Sequence, residues 1–472
     1  MTTMTNSDDL DIINGIVARA RKAQKAFETG ATQQRYDIAA QAAAWAILEP
    51  ERNRALAELS VATTGLGNVQ DKIAKNHNKT LGLMRDLLTA RTHGVIRDDP
   101  ESGITEIARP IGVIGAVVPS TNPAATPANN IINALKGGNA IVLSPSPKGV
   151  PACETLLAFI YAEFDKVGLD DDLVQMIPAP GSKDKTQRML EIVDLVVVTG
   201  SQDNVRRAYR CGTPAIGVGA GNVTVIVDET ADLAATAFKI AQSKTFDNAT
   251  SCSAESAVVV LDEVYDQFID ALGQNGGALI SESGSQTIVD KLWPNGILNR
   301  AVIAQDADKT VEALGLTDKV PADTRFLAVE TRGIGPNHPL SGEKLSRVLA
   351  LYRARDFADA TEITRRILMH QGAGHSVGLH SSTKVRALEL AETLPTSRVI
   401  VNQAHCIATG GAFNNGMAFS LSMGCGSWGG NSIDDNLNWR HFIQSTKVVR
   451  EITERKPALE DVLAQYWKHV TG

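Results

Sequence analysis

Ile111-Gly-Val-Ile-Gly-Ala-Val-Val118 runs without a polar residue into Pro119-Ser-Thr-Asn-Pro123. A strand with one wet face alternates polar and apolar side chains. A continuous apolar run belongs instead to a strand covered on both faces, as in a parallel sheet. Pro119 has no backbone donor and closes the strand. The same texture recurs at Ala140–Leu143, Leu173–Ile177, Leu195–Val198 and Val223–Val227, with helical spacing between the runs over 153–167 and 185–192. Strands alternating with helices predict βαβ units on a parallel sheet. Upstream, residues 8–92 read as helices, Ala-rich over Ile38–Leu48 and of mixed charge over Asp71–Leu88. Downstream of a helix over Ala231–Thr245, a second series follows, with strands at Ala257–Leu261, Phe326–Val329, Arg347–Tyr352, Val377–Leu379 and Arg398–Val401. The chain is thus expected to form two α/β domains that part near residues 240–250. The Gly-, Asn- and Ser-rich stretch Gly410–Asn436 reads as loop with close backbone approaches. Asn438–Gly472 reads as a strand and a helix that pack elsewhere.

Composition narrows the function. Of 472 residues, 43% are hydrophobic and 21% charged, which excludes a disordered or fibrous chain. No apolar run is long enough to span a bilayer. The stretch Met1–Asp9 carries neither a basic n-region nor an apolar h-region, so no secretory signal is expected and a cytoplasmic location is. A net charge of −7 and the lack of any Lys/Arg block argue against a nucleic-acid partner. The five cysteines, Cys153, Cys211, Cys252, Cys406 and Cys425, are odd in number and form no C-x-x-C pair. Neither a disulfide framework nor a structural metal site is expected. Each thiol is then either a small buried hydrophobe or a nucleophile.

Three segments hold candidate chemistry. Cys252 sits in the polar stretch Asn248-Ala-Thr-Ser-Cys-Ser between a helix and an apolar strand, a loop position where catalytic residues concentrate, and the local sequence leaves both a nucleophile and a buried structural thiol open. Asn122 lies in the turn after the strand 111–118. At the carboxyl end of a parallel strand its amide is placed to donate to an oxyanion, although Asn-Pro is also ordinary turn chemistry. Thr199-Gly200-Ser201 opens from a strand onto a helix, where backbone N–H groups can cradle a pyrophosphate. It is not a G-x-G-x-x-G fingerprint.

Taken together and in order, these segments resemble the aldehyde dehydrogenase superfamily, in its coenzyme A-acylating branch. The matching motifs are Pro119–Pro123, Thr199–Ser201, Pro214–Asn222, Lys244–Asn248 with Cys252, Glu343–Ser346 and Gly424-Cys-Gly-Ser-Trp-Gly-Gly-Asn-Ser432. The resemblance implies two doubly wound α/β domains: a Rossmann-like cofactor domain over 1–240 and a catalytic domain over 241–425. A small oligomerisation element and a segment 426–472 returning to the cofactor domain or oligomer interface complete it. It further implies that Cys252 attacks an aldehyde while Asn122 and the Cys252 N–H hold the oxyanion. Ser144, Pro145, Thr199, Gly200, Ser201, Gly219 and Glu343 would then hold the dinucleotide.

Val218 stands where hydrolytic members carry a general-base Glu. A valine activates no water, so the thioester on Cys252 is expected to await coenzyme A as co-substrate. A hydrolytic enzyme is the rival reading. In Ser144-Pro-Ser-Pro-Lys148 the acid that repels a ribose 2′-phosphate is absent and a lysine follows, which favours NADP over NAD. Gly372–His375, Val401–Cys406 and Gly410–Gly416 resemble members acting on small anionic aldehydes. Sulfoacetaldehyde is expected first, then succinate semialdehyde, then a short neutral aldehyde. His375, His405, Arg347 and Asn402 are the candidate anion receptors. His405 and Cys406 are read as strand neighbours on opposite faces, leaving Cys252 the sole nucleophile. A homo-oligomer, dimer or tetramer, is expected through Ile104–Ile107 and Thr446–Val449.

Overall fold

The computed structural model describes residues 6–471. Met1–Thr5, the larger part of the polar amino-terminal stretch, lie outside the described residues. The decisive run forms the strand Val113–Val118, every residue of which is buried. It is the centre of a parallel five-stranded sheet in the order Val174–Met176, Ala140–Pro145, Val113–Val118, Leu195–Thr199, Ala215–Val218. Helices Asn6–Glu28, Ala125–Lys136 and Lys183–Ile192 pack on it. The chain runs outward from the central strand first to one side and then to the other. The order therefore reverses between Val113–Val118 and Leu195–Thr199, and such a reversal opens a crevice at the carboxyl ends of the strands.

A second, seven-stranded parallel sheet follows in the order Gly277–Ile280, Phe326–Glu330, Val348–Ala354, Glu255–Leu261, Val223–Val227, Val377–His380, Val399–Val401. The strand Val223–Val227 lies in the middle of this sheet, and its apolar residues join the second core. The two domains therefore part over residues 219–222, ahead of the expected 240. A buried apolar strand looks the same in either sheet, so texture alone places the crossover late.

The third sheet is antiparallel, with Gly94–Asp99, Ile104–Pro110 and Ile443–Val449 side by side. Ile443–Val449 pairs along its whole length with Ile104–Pro110, from Ile443 opposite Pro110 to Val449 opposite Ile104. Just before it, Leu437 and Phe442 are fully buried in the core of the first domain. No helix among the described residues is long and apolar enough to cross a membrane.

Asn139 welds the returning tail to the first sheet. Its Oδ1 accepts from the backbone N–H groups of Ile111 (2.7 Å) and Gly112 (3.0 Å). Its Nδ2 donates to the carbonyls of Ala134 (3.1 Å) and Phe442 (2.7 Å). The side chain is fully buried, so Asn139→Ala takes this partner from the Ile111 and Gly112 N–H groups and the Phe442 carbonyl, whereas the Ala134 carbonyl keeps backbone donors. The expected loss is about 3 kcal/mol or more, read as a thermal unfolding midpoint lowered by several degrees. A midpoint unchanged from wild type contradicts this account of the tail.

Candidate active site

The crevice at the strand reversal deepens into a cavity of about 970 Å³ between the two sheets. Asn122, Ser144, Pro145, Thr199, Gly200, Ser201, Gly219, Cys252 and Glu343 all line it. These residues come from six separate segments, and the parallel topology brings them to one place.

Cys252 is delivered by a distorted stretch of chain. Asp247, Asn248 and Ala249 have φ of 48°, 54° and 57°, a left-handed conformation that costs non-glycine residues energy. Polar contacts hold it. The Asp247 carboxylate accepts from Lys72 Nζ (3.1 Å), Thr250 Oγ1 (2.7 Å) and the Asn68 N–H (3.1 Å), and forms a close ion pair with Lys75. Burial pushes the Asp247 pKa up, but Lys75 and Lys72 outweigh it and hold the group below the usual carboxylate range. Asn248 is braced by Arg347, whose Nε donates to its Oδ1 at 3.1 Å. On the other side, a Cβ on Gly221 would stand 2.0 Å from the Cys252 carbonyl oxygen, so only glycine lets that loop approach.

The Cys252 sulfur lies 3.4 Å from His375 Nε2, and His375 Nδ1 lies 2.7 Å from Ser376 Oγ. Burial drives the His375 pKa down to about 3, so the ring is neutral. Burial, with Glu343 adding to it, pushes the Cys252 thiol up to about 12. Asn122 Oδ1 accepts from Lys75 Nζ at 3.1 Å. A lysine ammonium only donates, so this bond fixes the amide and leaves its NH₂ as the free end.

At the other end of the cavity, Ser201 caps the helix Gln202–Arg210, whose first-turn residues Gln202 and Asn204 line the wall. That positive helix end suits a pyrophosphate. Glu343 Oε1 and Ser146 Oγ are buried without partners, and both residues face the cavity. Burial raises the Glu343 pKa to about 8. Two orphaned oxygens and a capped helix end fit a dinucleotide with hydroxylated riboses.

The expected anion receptors do not gather here. His375 lies against Cys252. His405 is buried in the short helix His405–Ala408, not in a strand, with Nδ1 3.0 Å from the Ser253 carbonyl and 3.0 Å from Thr409 Oγ1. The turn of that helix sends Cys406, and not His405, to the cavity wall. Arg347 braces Asn248, and Asn402 bonds the backbone of Ser381. Lys148 is exposed and lies off the wall, whereas Lys183 and Arg207 line it. Lys75 and Lys79 line it too. Their signal was a set of lysines at 72, 75 and 79 on one helix face, a spacing that reads equally as a solvated surface. No metal-holding cluster occurs among the described residues.

A thiol, an amide fixed by a lysine and a helix end suited to a pyrophosphate, all around one cleft, fit a thiol-dependent oxidoreductase acting on a carbonyl. The comparisons agree. The aldehyde dehydrogenase family profile matches residues 2–288, and the chain belongs to that family, in its coenzyme A-acylating branch. It is 55% identical over 98% of its length to an acylating sulfoacetaldehyde dehydrogenase of Cupriavidus necator, covering 93% of that protein. An acylating sulfoacetaldehyde dehydrogenase of Bilophila wadsworthia is 38% identical over 95% of this chain and 97% of its own. Among solved structures, an acetylating aldehyde dehydrogenase from Geobacillus thermoglucosidasius superposes with a TM-score of 0.91 at 30% identity, covering 97% of this chain and 100% of that one.

The raised thiol pKa has a direct readout. Iodoacetamide labelling of Cys252, followed by mass spectrometry on the cofactor-free protein, is expected to accelerate with pH beyond 9 without reaching a plateau. A plateau near neutrality contradicts the placement of this sulfur in an uncompensated buried site.

Proposed function

We propose that this chain oxidises sulfoacetaldehyde with NADP and passes the acyl group to coenzyme A, giving sulfoacetyl-CoA. The observation that carries the reading is the charge of the cavity wall. Among the described lining residues, Lys75, Lys79, Lys183 and Arg207 are cationic and Glu343 is the one carboxylate. Such a wall favours an anionic aldehyde and phosphorylated cofactors. Val218 lies on the same wall where a water-activating carboxylate would stand in a hydrolytic relative. The likeness to the two sulfoacetaldehyde dehydrogenases points the same way.

In the reaction, neutral His375 takes the Cys252 proton as the sulfur attacks the aldehyde carbon. The Asn122 NH₂ and the Cys252 N–H hold the resulting oxyanion. The nicotinamide, when bound, accepts the hydride. Cys252 is left as a thioester, and with no base positioned to activate water it persists until a thiol attacks. His375 gives up its proton to solvent once the hydride has left, and its neutral Nε2 then takes the proton of the incoming thiol and returns it to the departing Cys252 sulfur. Transfer of the acyl group to the incoming sulfur regenerates the Cys252 thiol. Lys183 and Arg207 are the cations for a ribose 2′-phosphate, in place of Lys148.

The test is an initial-rate panel of sulfoacetaldehyde, succinate semialdehyde and propionaldehyde with NADP or NAD, with and without coenzyme A. The expected result is sulfoacetaldehyde and NADP preferred, with one equivalent of reduced cofactor per site when coenzyme A is withheld. Equal steady rates without coenzyme A overturn the acylating reading. An equal rate with NAD, or a preference for succinate semialdehyde, corrects the cofactor or the substrate.

The working unit is proposed to be a homo-oligomer of two or four chains. Ile443–Val449 is an edge strand with a largely exposed face, and an unpaired edge accepts another strand. Light scattering is expected to give a dimer or tetramer mass, and a monomer contradicts it. All five cysteines are free, which suits a reducing cytoplasm.

A further inference from the structure

An anionic aldehyde needs a receptor for its charged tail at the thiol end of the cavity. Arg347, His405 and Asn402 are occupied elsewhere, and Lys183 and Arg207 belong to the cofactor end. Two lysines remain on the cavity wall, both on the helix Val69–Leu87. Lys75 is neutralised by Asp247 and also donates to Thr250 Oγ1 and Asn122 Oδ1.

Lys79, one turn further along, differs in kind. Its Nζ donates to the carbonyls of Gly410 (2.8 Å), Gly411 (2.9 Å) and, at longer range, Ile407 (3.4 Å). It also lies 5.5 Å from the centre of the Phe419 ring. Carbonyl dipoles and a ring face orient an ammonium without cancelling its charge. Among the described residues no carboxylate pairs with it. Lys79 is half-buried, and a partly desolvated charge without a counterion is costly, so a ligand that brings the counterion gains what the site lacks. Burial lowers the Lys79 pKa to about 8, and its titratable neighbours are Cys406 on the facing short helix and Lys75 on its own. Asn78, exposed beside it, lines the same wall and adds a polar group.

Resting on the anionic-aldehyde reading above, we propose that Lys79 receives the sulfonate of the substrate and sets the preference for anionic over neutral aldehydes. The residue is specificity-determining and takes no part in bond making. Its hydrogen bonds also pin the loop 407–411. A pin serves every aldehyde equally, whereas a counter-charge serves only anionic ones.

The experiment compares kcat/KM for sulfoacetaldehyde with kcat/KM for propionaldehyde in wild type, Lys79→Met and Lys79→Arg. The expected result is a ratio lowered about 10- to 100-fold in Lys79→Met, the loss of one charged contact, carried by KM for the sulfonate. Lys79→Arg keeps most of the preference. Ethanesulfonate, as a competitive inhibitor, weakens in parallel with KM. Asn78→Asp places a negative charge on the same wall without touching the loop contacts. It is expected to lower the ratio as well, and it stands in if Lys79→Met does not fold. If wild type prefers sulfoacetaldehyde and the variants keep its ratio within about threefold, Lys79 is only a pin and the functional reading survives. If wild type shows no preference for the anionic substrate, the functional reading itself falls and the role of Lys79 with it.

Discussion

One buried carboxylate, that of Asp247, holds the active site in register. It stands at the junction of the two domains. Lys72 and Lys75, from the helix Val69–Leu87 on one side, converge on a loop that belongs to the other. The loop bends through three left-handed residues because this charge and its partners repay the strain. The same carboxylate acts at one remove on Asn122, since Lys75 bridges the two. Cys252 and Asn122 thus take their positions from a single ion cluster. Gly67 makes room for it: a Cβ there would lie 1.9 Å from Asp247 Oδ1.

Around this point the two sheets divide the labour. The first offers strand ends and a helix end, which suit a cofactor rich in phosphate and hydroxyl groups. The second offers the thiol loop and the neutral imidazole behind it. Close approaches of backbone join them. Gly221 lets the connecting loop lie on the Cys252 peptide, and a Cβ on Gly374 would fall 1.7 Å from the Cys425 carbonyl. The loop that follows Cys425 therefore seats against the segment carrying His375. The signature stretch 424–432 thus does packing work.

Much of this was legible in the chain. Buried strands announce themselves by uninterrupted apolar runs, and Val113–Val118, Leu195–Thr199 and Val223–Val227 form where such runs lie. Cys252 stood out for its polar loop between a helix and an apolar strand, whereas Asn122 and Glu343 were singled out only through the family motifs around them, since an Asn-Pro turn and a lone Glu read alone as ordinary surface chemistry. What escaped depends on direction, which one-dimensional spacing does not carry. Arg347 and His405 look like anion receptors until the fold turns one towards Asn248 and the other beneath Ser253. Lys79 looks solvated until the loop 407–411 closes over it. The division at 219–222 was misplaced because a central strand reads alike in either sheet.

The return of the tail bears on how the molecule is made. Leu437 and Phe442 complete the core of the first domain, and the Asn139 amide finds its last acceptor on Phe442. These residues leave the ribosome after nearly everything else. The amino-terminal domain therefore emerges with its hydrophobic interior unfinished, and must wait through the synthesis of the entire second domain before it can close. A nascent chain of this kind spends most of its translation with apolar surface unsatisfied. Maturation is thereby tied to completion: a product truncated before residue 437 lacks both the last pieces of that interior and the strand that pairs with Ile104–Pro110.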